Sequence, residues 1–253
     1  MTGLEMAAVL LAGVAAGTIN TVVGSGTLIT FPTLLAFGIP PVTANVSNTV
    51  GLVPGSASGA WGYRRELRGQ RERVLRLASA SLVGGVAGAV LLLALPAEAF
   101  NTIVPVLILA GVVLVLLQPM IARRVAARAE DRGPAPAHGA LWVWVLVMLA
   151  GVYGGYFGAA QGVLLMAIMG IGIQESLQRL NGIKNVLAGL VNAVAAIVFI
   201  LVAEVDWLIA GLIAAGAIVG GLLGASVGRR LPPLALRLVI ATVGIVAVVT
   251  FLS

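Results

Sequence analysis

The chain contains no cysteine, one histidine and one lysine in 253 residues. Without cysteine there is no disulfide, no thiolate nucleophile and no thiolate metal ligand. The histidine, His138, stands in GPAPAHGA, a loop composition, so a Ser–His dyad within a packed interior is excluded. Charge is scarce as well. Only 9% of residues are Asp, Glu, Lys or Arg, against about 25% in an ordinary soluble domain. The carboxylates (Glu5, Glu66, Glu72, Glu98, Glu130, Asp131, Glu175, Glu204 and Asp206) fall in loops or at the ends of apolar runs. That placement argues against a cation site built on a buried acid, and the lack of ligand clusters argues against a metalloenzyme. No GxxxxGK[ST] loop is present to support ATP-driven transport. No cofactor is expected.

What the chain has is apolar sequence: 60% hydrophobic residues and a mean hydropathy of +1.11. The apolar runs are about 20 residues long, the length that crosses a bilayer as a helix. The expected fold is all-α and polytopic, with the lipid bilayer as its surroundings. A net charge of +6 and a pI near 11.0 could suggest nucleic acid. The arginines, however, flank apolar spans, as the positive-inside rule requires, and no basic soluble domain is present, so nucleic acid is excluded. The opening MTGLEMAAVLLAG lacks a basic n-region and is expected to be a membrane segment, not a cleaved signal.

Spanning helices are predicted near 42–63, 74–95, 101–122, 177–203, 206–228 and 233–252. Two longer apolar regions, 4–37 and 141–173, are interrupted by GTINTVVGSG at 17–26 and GGYFGAAQG at 154–162. About a dozen apolar residues follow each interruption, too few for a full crossing. The halves repeat with a nearly constant offset: AGVAAG at 12–17 matches AGVYGG at 150–155, Asn48 matches Asn185, GGVAG matches GGLLG, and LP at 95–96 matches LP at 231–232. The organisation expected is a first membrane repeat over 1–122, a cytoplasmic linker over 123–140 and a second membrane repeat over 141–253.

Loop charge sets direction. The loop at 64–76 holds six arginines and is assigned inside, as is the linker with Arg123, Arg124, Arg128 and Arg132. The Glu98 loop has no basic residue and is assigned outside. In the second half the pattern reverses, with Glu204 and Asp206 in one loop and Arg229, Arg230 and Arg237 near the other. Equivalent loops on opposite faces require an inverted-topology repeat, each half a broken, re-entrant segment plus three transmembrane helices, with both termini outside. Interrupted segments at matching positions of inverted repeats are expected to meet near the midplane and frame a substrate site.

The polar groups at that site are candidates for binding. Asn181, Lys184, Asn185 and Asn192 share one face of the 177–203 helix at i, i+3, i+4 and i+11 spacing. Asn45, Asn48, Thr49 and Ser56 form a stripe on 42–63. Asn20, Thr21, Ser25, Gly24 and Gly26 come from the first break, and Gln161, Gly158 and Gly162 from the second. One cation among amides and hydroxyls suits an oxyanion. The alternatives are that Lys184 snorkels to the interface, or that it is structural and the cavity takes another small metabolite. Arg179 is expected to be an interfacial anchor. The counterpart of Lys184 in the first half is Ser47 or a neighbour, so the charge belongs to one half only.

The text NTVVGSGTLITFPTLLAFGIPPVTANVSNTVGLVPGSASGAWGYRREL, with YGGYFGAAQGVLL, LNGIKN, VDW and GRRLPP, resembles the TauE/SafE family of sulfite exporter-like permeases, also called the 4-toluene sulfonate uptake permease family. The resemblance covers nearly the whole chain. It implies a multi-pass protein of the bacterial inner (plasma) membrane that carries small sulfur-containing anions such as sulfite or organosulfonates. The inside-negative membrane potential favours anion efflux, so uptake would need a coupling ion, most simply a co-transported proton. Members often show three glycines at the first break, where this chain has Gly24-Ser25-Gly26, and the Ser25 hydroxyl bears on which anion fits.

Overall fold

A computed structural model describes residues 1–130, 139–226 and 233–252. His138, Asp131, Arg132, Arg229, Arg230 and the 231–232 LP match lie outside the described residues, and the side chains of Arg128 and Arg237 are likewise not described. The described residues form ten helices: α1 (Gly3–Val22), α2 (Thr27–Ala36), α3 (Pro41–Gly62), α4 (Arg71–Ala94), α5 (Ala97–Glu130), α6 (Leu141–Tyr156), α7 (Gln161–Gly172), α8 (Leu177–Val202), α9 (Trp207–Ser226) and α10 (Pro233–Leu252).

Both interrupted regions are broken where expected, though more narrowly. The helix runs through Asn20 and Thr21 to Val22 and resumes at Thr27, and the second break is only Phe157–Ala160. α2 and α7, of 10 and 12 residues, are the short pieces after the breaks. Other boundaries fall within a few residues of the prediction, with one exception. α5 continues through the first part of the expected linker to Glu130, because ARRVAARAE consists almost wholly of strong helix formers.

Among the described residues, α1, α4, α5, α8 and α9 are long and apolar enough to cross a membrane. α3 has the length but falls outside that set, since its Asn, Ser, Pro and Gly content lowers its hydropathy. Leu, Val and Ile on the outward faces of α4, α5, α9 and α10 are exposed. A shell of this kind is stable against hydrocarbon and not against water. The protein is a multi-pass membrane protein.

The halves are interleaved. α1 packs on α9 and α6 on α4; α3 packs on α9 and α8 on α4; α2 meets α10 and α7 meets α5; α3 and α8 face each other. Small residues set these approaches. Gly13 lies against Ile213 and Gly17 against Ala217, so α1 and α9 run parallel. Gly84 lies against Met148 and Gly88 against Val152, so α4 and α6 do too. Gly51 beside Ile213 and Gly62 beside Ala225 make α3 parallel to α9. α1 and α3 therefore share a direction, and the chain between them, α2 included, doubles back. α3 and α8 are antiparallel: Tyr63 sits at Gly182, Ser56 at Gly189, and the Ser47 hydroxyl accepts a bond from the Asp206 N–H at 2.9 Å.

Candidate functional site

The two breaks cross at glycine. The Gly162 N–H donates to the Gly24 carbonyl at 3.1 Å, and a Cβ on either residue would run into the Cα of the other. Gly24 also has φ +88°, a region where side chains are strained. The crossing thus needs glycine at 24 for both conformation and space.

Lys184 reaches this crossing from α8. Its side chain is fully buried, at 0% exposure. A Cβ on Gly162 would stand 3.0 Å from the Lys184 Cδ, and Nζ donates to the Asn20 and Thr21 carbonyls at 3.0 Å each. These carbonyls belong to the last turn of α1, whose terminal acceptors have no partner within the helix. The lysine does not snorkel; it caps a half-helix in trans, its charge at the negative end of the dipole. Asn181 Nδ2 and Asn185 Nδ2 add bonds to the same Thr21 carbonyl at 3.3 and 3.2 Å, and Asn185 Nδ2 also reaches the Asn181 carbonyl at 3.1 Å. Leu177 to Lys184 spans about 10 Å at roughly 1.5 Å per residue, which places Lys184 between the Leu177 end and the middle of this 26-residue helix.

The α3 stripe ties down the other pieces. Asn48 accepts a bond from the Thr30 hydroxyl and donates through Nδ2 to Thr27 Oγ1 at 3.4 Å, fixing α2 by its first turn. Asn45 Nδ2 donates to the Tyr156 carbonyl at 3.0 Å and so caps α6, the other half-helix that ends at a break. Asn20 Nδ2 reaches Ser56 Oγ at 3.4 Å. The Tyr153 hydroxyl closes the second break by donating to the Ala159 carbonyl at 2.6 Å. Ser47 has a separate task at the α8–α9 turn.

Every residue singled out in the breaks is thus at or beside the crossing. Ser25 Oγ and Gln161 Nε2 are buried and meet no protein partner. Ser25 immediately precedes Gly26, the N-cap of α2, which has no side-chain cap bond; the first N–H groups of a helix are a ready anion receptor. Gln161 packs over Gly154 of α6. Sequence reasoning passed over Thr27, Thr30 and the capping role of Asn45, although the i, i+3 pair of threonines and Asn45 one turn before Asn48 were visible signals. A groove of about 560 Å3 lined by Pro32, Phe37, Ile39, Pro41 and Val243 opens between the end of α2 and α10. It is apolar and apart from the crossing.

A second polar cluster sits where α4 and α8 begin. Glu175 bonds Gln70 Nε2 at 2.8 Å, Arg73 at 3.1 Å and Arg179 at 3.3 Å. Burial pushes its carboxyl up, but the Ser176 N–H, Gln70, Arg73 and the Arg179 guanidinium outweigh that and hold it at about 2. Arg179 is therefore tied to Glu175 at the start of α8.

The family model described as sulfite exporter TauE/SafE matches residues 9–251. A probable membrane transporter protein, YfcA, of Escherichia coli (strain K12) is 29% identical over 226 residues, covering 85% of this chain and 76% of that protein. A probable membrane transporter protein, ORF9, of Sinorhizobium sp is 30% identical over 165 residues, 64% of this chain; the match spans 59% of that relative's length. A probable membrane transporter protein of Haemophilus influenzae is 25% identical over 224 residues, covering 88% and 85% of the two chains.

Proposed function

The chain belongs to the sulfite exporter TauE/SafE family of membrane transporters, and from that premise we propose that it is a permease for small sulfur-containing oxyanions, sulfite or an organosulfonate, in the bacterial inner membrane. One observation carries the choice of an anion. Lys184 is fully buried, and both of its hydrogen-bond partners are neutral carbonyls. An ammonium in hydrocarbon without a counter-charge is costly, and an anion at the crossing of the breaks supplies the missing charge. The Ser25 hydroxyl, the Gln161 amide and the N-terminus of α2 at Gly26 give it donors. Gly24 holds the crossing open to backbone contact. Asn20, Asn48, Asn181 and Asn185 position the half-helices around it, since their amides are bonded to protein groups.

The architecture we propose is two repeats of inverted topology, 1–122 and 141–253, that rock about this crossing. The antiparallel run of α3 and α8 and the exchange of packing partners between the halves support it. An inside-negative potential drives a monoanion out by roughly 2.3 kcal/mol per charge per 100 mV. Export needs no coupling ion, while uptake needs one, most simply a proton carried with the anion.

Flux of sulfite and isethionate into proteoliposomes, with taurine and an alkylamine as competitors, tests the assignment. Sulfite and isethionate compete with each other and the amine does not. A second reading has its own support: because Lys184 caps α1, it could serve structure alone while the protein carries another metabolite. Transport of a neutral or cationic solute that sulfonates fail to inhibit would establish that reading instead.

A further inference from the structure

We propose that Lys184 is also the proton-binding site of the transport cycle, so that one proton and one anion occupy the crossing together; this rests on the anion reading above. The argument begins with what surrounds the amine. α8 packs against α1, α3, α4, α6 and α7. α1 carries only Glu5, at its far end; α3 and α7 carry no titratable side chain. α4 brings Arg71, Glu72, Arg73 and Arg76, all within its first two turns, and α6 brings Tyr153 and Tyr156. α8 itself adds Arg179, with Glu175 just before it, and the turn after α3 carries Tyr63, Arg64, Arg65, Glu66 and Arg68, of which Tyr63 packs at Gly182. None of these groups bonds Nζ, whose partners are the two α1 carbonyls.

The cradle suits two protonation states. A neutral amine has two N–H donors and a lone pair; an ammonium has three donors. Two carbonyls accept both N–H donors of the neutral amine. Protonation adds a third donor and a full charge, which the α1 carbonyls meet only with partial charges and no carboxylate bonds, and both are answered by an oxyanion. The lone pair of Nζ takes its proton from water on the loading side and returns it to water on the releasing side. Binding is reciprocal: the anion tightens the proton and the proton tightens the anion by the same factor. The loaded site then carries no net charge beyond that of the empty one, and the membrane potential does not oppose uptake.

Lys184 is the only lysine of the chain, so the wild-type protein can be read directly. Protein labelled with 13Cε-lysine, in lipid nanodiscs, gives one side-chain lysine resonance. It is expected to follow a one-proton titration, and isethionate, a monoanion throughout, is expected to raise the midpoint by about one pH unit, roughly a tenfold coupling. In proteoliposomes holding a pH-sensitive dye, isethionate entry is expected to carry protons with it, and Lys184→Gln to abolish that proton movement. A midpoint that isethionate leaves unchanged, or isethionate flux without protons in the wild type, overturns the proton assignment and leaves the anion permease standing. Absence of both isethionate and sulfite flux in the wild type overturns the permease reading itself.

Discussion

Lys184 of α8 donates to the Thr21 carbonyl of α1 at 3.0 Å, so a side chain late in the sequence finishes a helix near its start. The same carbonyl accepts from Asn181 and Asn185. Three donors on one oxygen make Thr21 the most heavily committed acceptor at the crossing. Replacing Lys184 by Met is expected to cost about 1–3 kcal/mol, the usual penalty for buried polar groups left without a partner, and to cut anion flux at least about tenfold through loss of the charge. Thermal unfolding in detergent and proteoliposome flux measure the two effects separately. Stability loss with unchanged flux would assign the lysine to structure alone.

Asn45 plays the equivalent part for α6, with a single bond to the Tyr156 carbonyl. Asn45→Ala is expected to destabilise by about 1–3 kcal/mol. The melting temperature should fall without a change in the charge preference of transport, since no charge is lost.

Gly24 tolerates nothing larger. Gly24→Ala places a Cβ on Gly162 and forces a left-handed residue. The backbone strain alone is roughly 1–3 kcal/mol, and the clash adds to it. Loss of flux together with a lowered melting temperature is expected. A variant that folds and transports normally would mean that the breaks separate in the working protein.

The Glu175 cluster gives a pH dependence. Its carboxyl is held at about 2, below the ordinary 4.5, so the folded state favours the charged form. The stabilisation is complete above pH 4.5 and is lost as pH falls through 2. Glu175→Gln should flatten the melting temperature across that window, lowering it at neutral pH, where the native carboxylate is charged, and matching the wild type at low pH, where the native carboxyl is protonated too.

Arg68 and Glu204 are both exposed, one in the turn after α3 and the other in the turn after α8. Because α3 and α8 are antiparallel, the two turns lie on opposite faces. The chain has no cysteine, so single Arg68→Cys and Glu204→Cys variants report cleanly. A membrane-impermeant thiol reagent should label them from opposite sides of sealed vesicles; labelling from one side would exclude the inverted arrangement.

Much of this framework was legible in the residues. α10 occupies 233–252 as expected, α3 and α8 fall within one residue of their predicted ends, and both breaks lie within the interrupted regions. Apolar length and glycine placement carry that information locally. The partners of Lys184 were not legible. They are backbone carbonyls, which every residue has, and only the path of α1 selects Asn20 and Thr21. A polar stripe in the sequence announces that something polar is met; whether that is solute or helix end depends on distant backbone. α5 overran its expected end for a plainer reason: the charged segment after the apolar span is itself helix-forming.

The pairing of α1 with α9, and of α4 with α6, also bears on how the molecule is made. A ribosome that has delivered α1 must still add residues 23–206 before the surface that receives it begins to emerge. Until then the glycine-lined face of α1 has only lipid or insertion machinery against it. Long-range closure of this kind slows folding and prolongs exposure of incomplete intermediates. Truncation after any helix short of α9 should therefore leave a product open to membrane quality-control proteases, and the late helices act as the seal on the early ones.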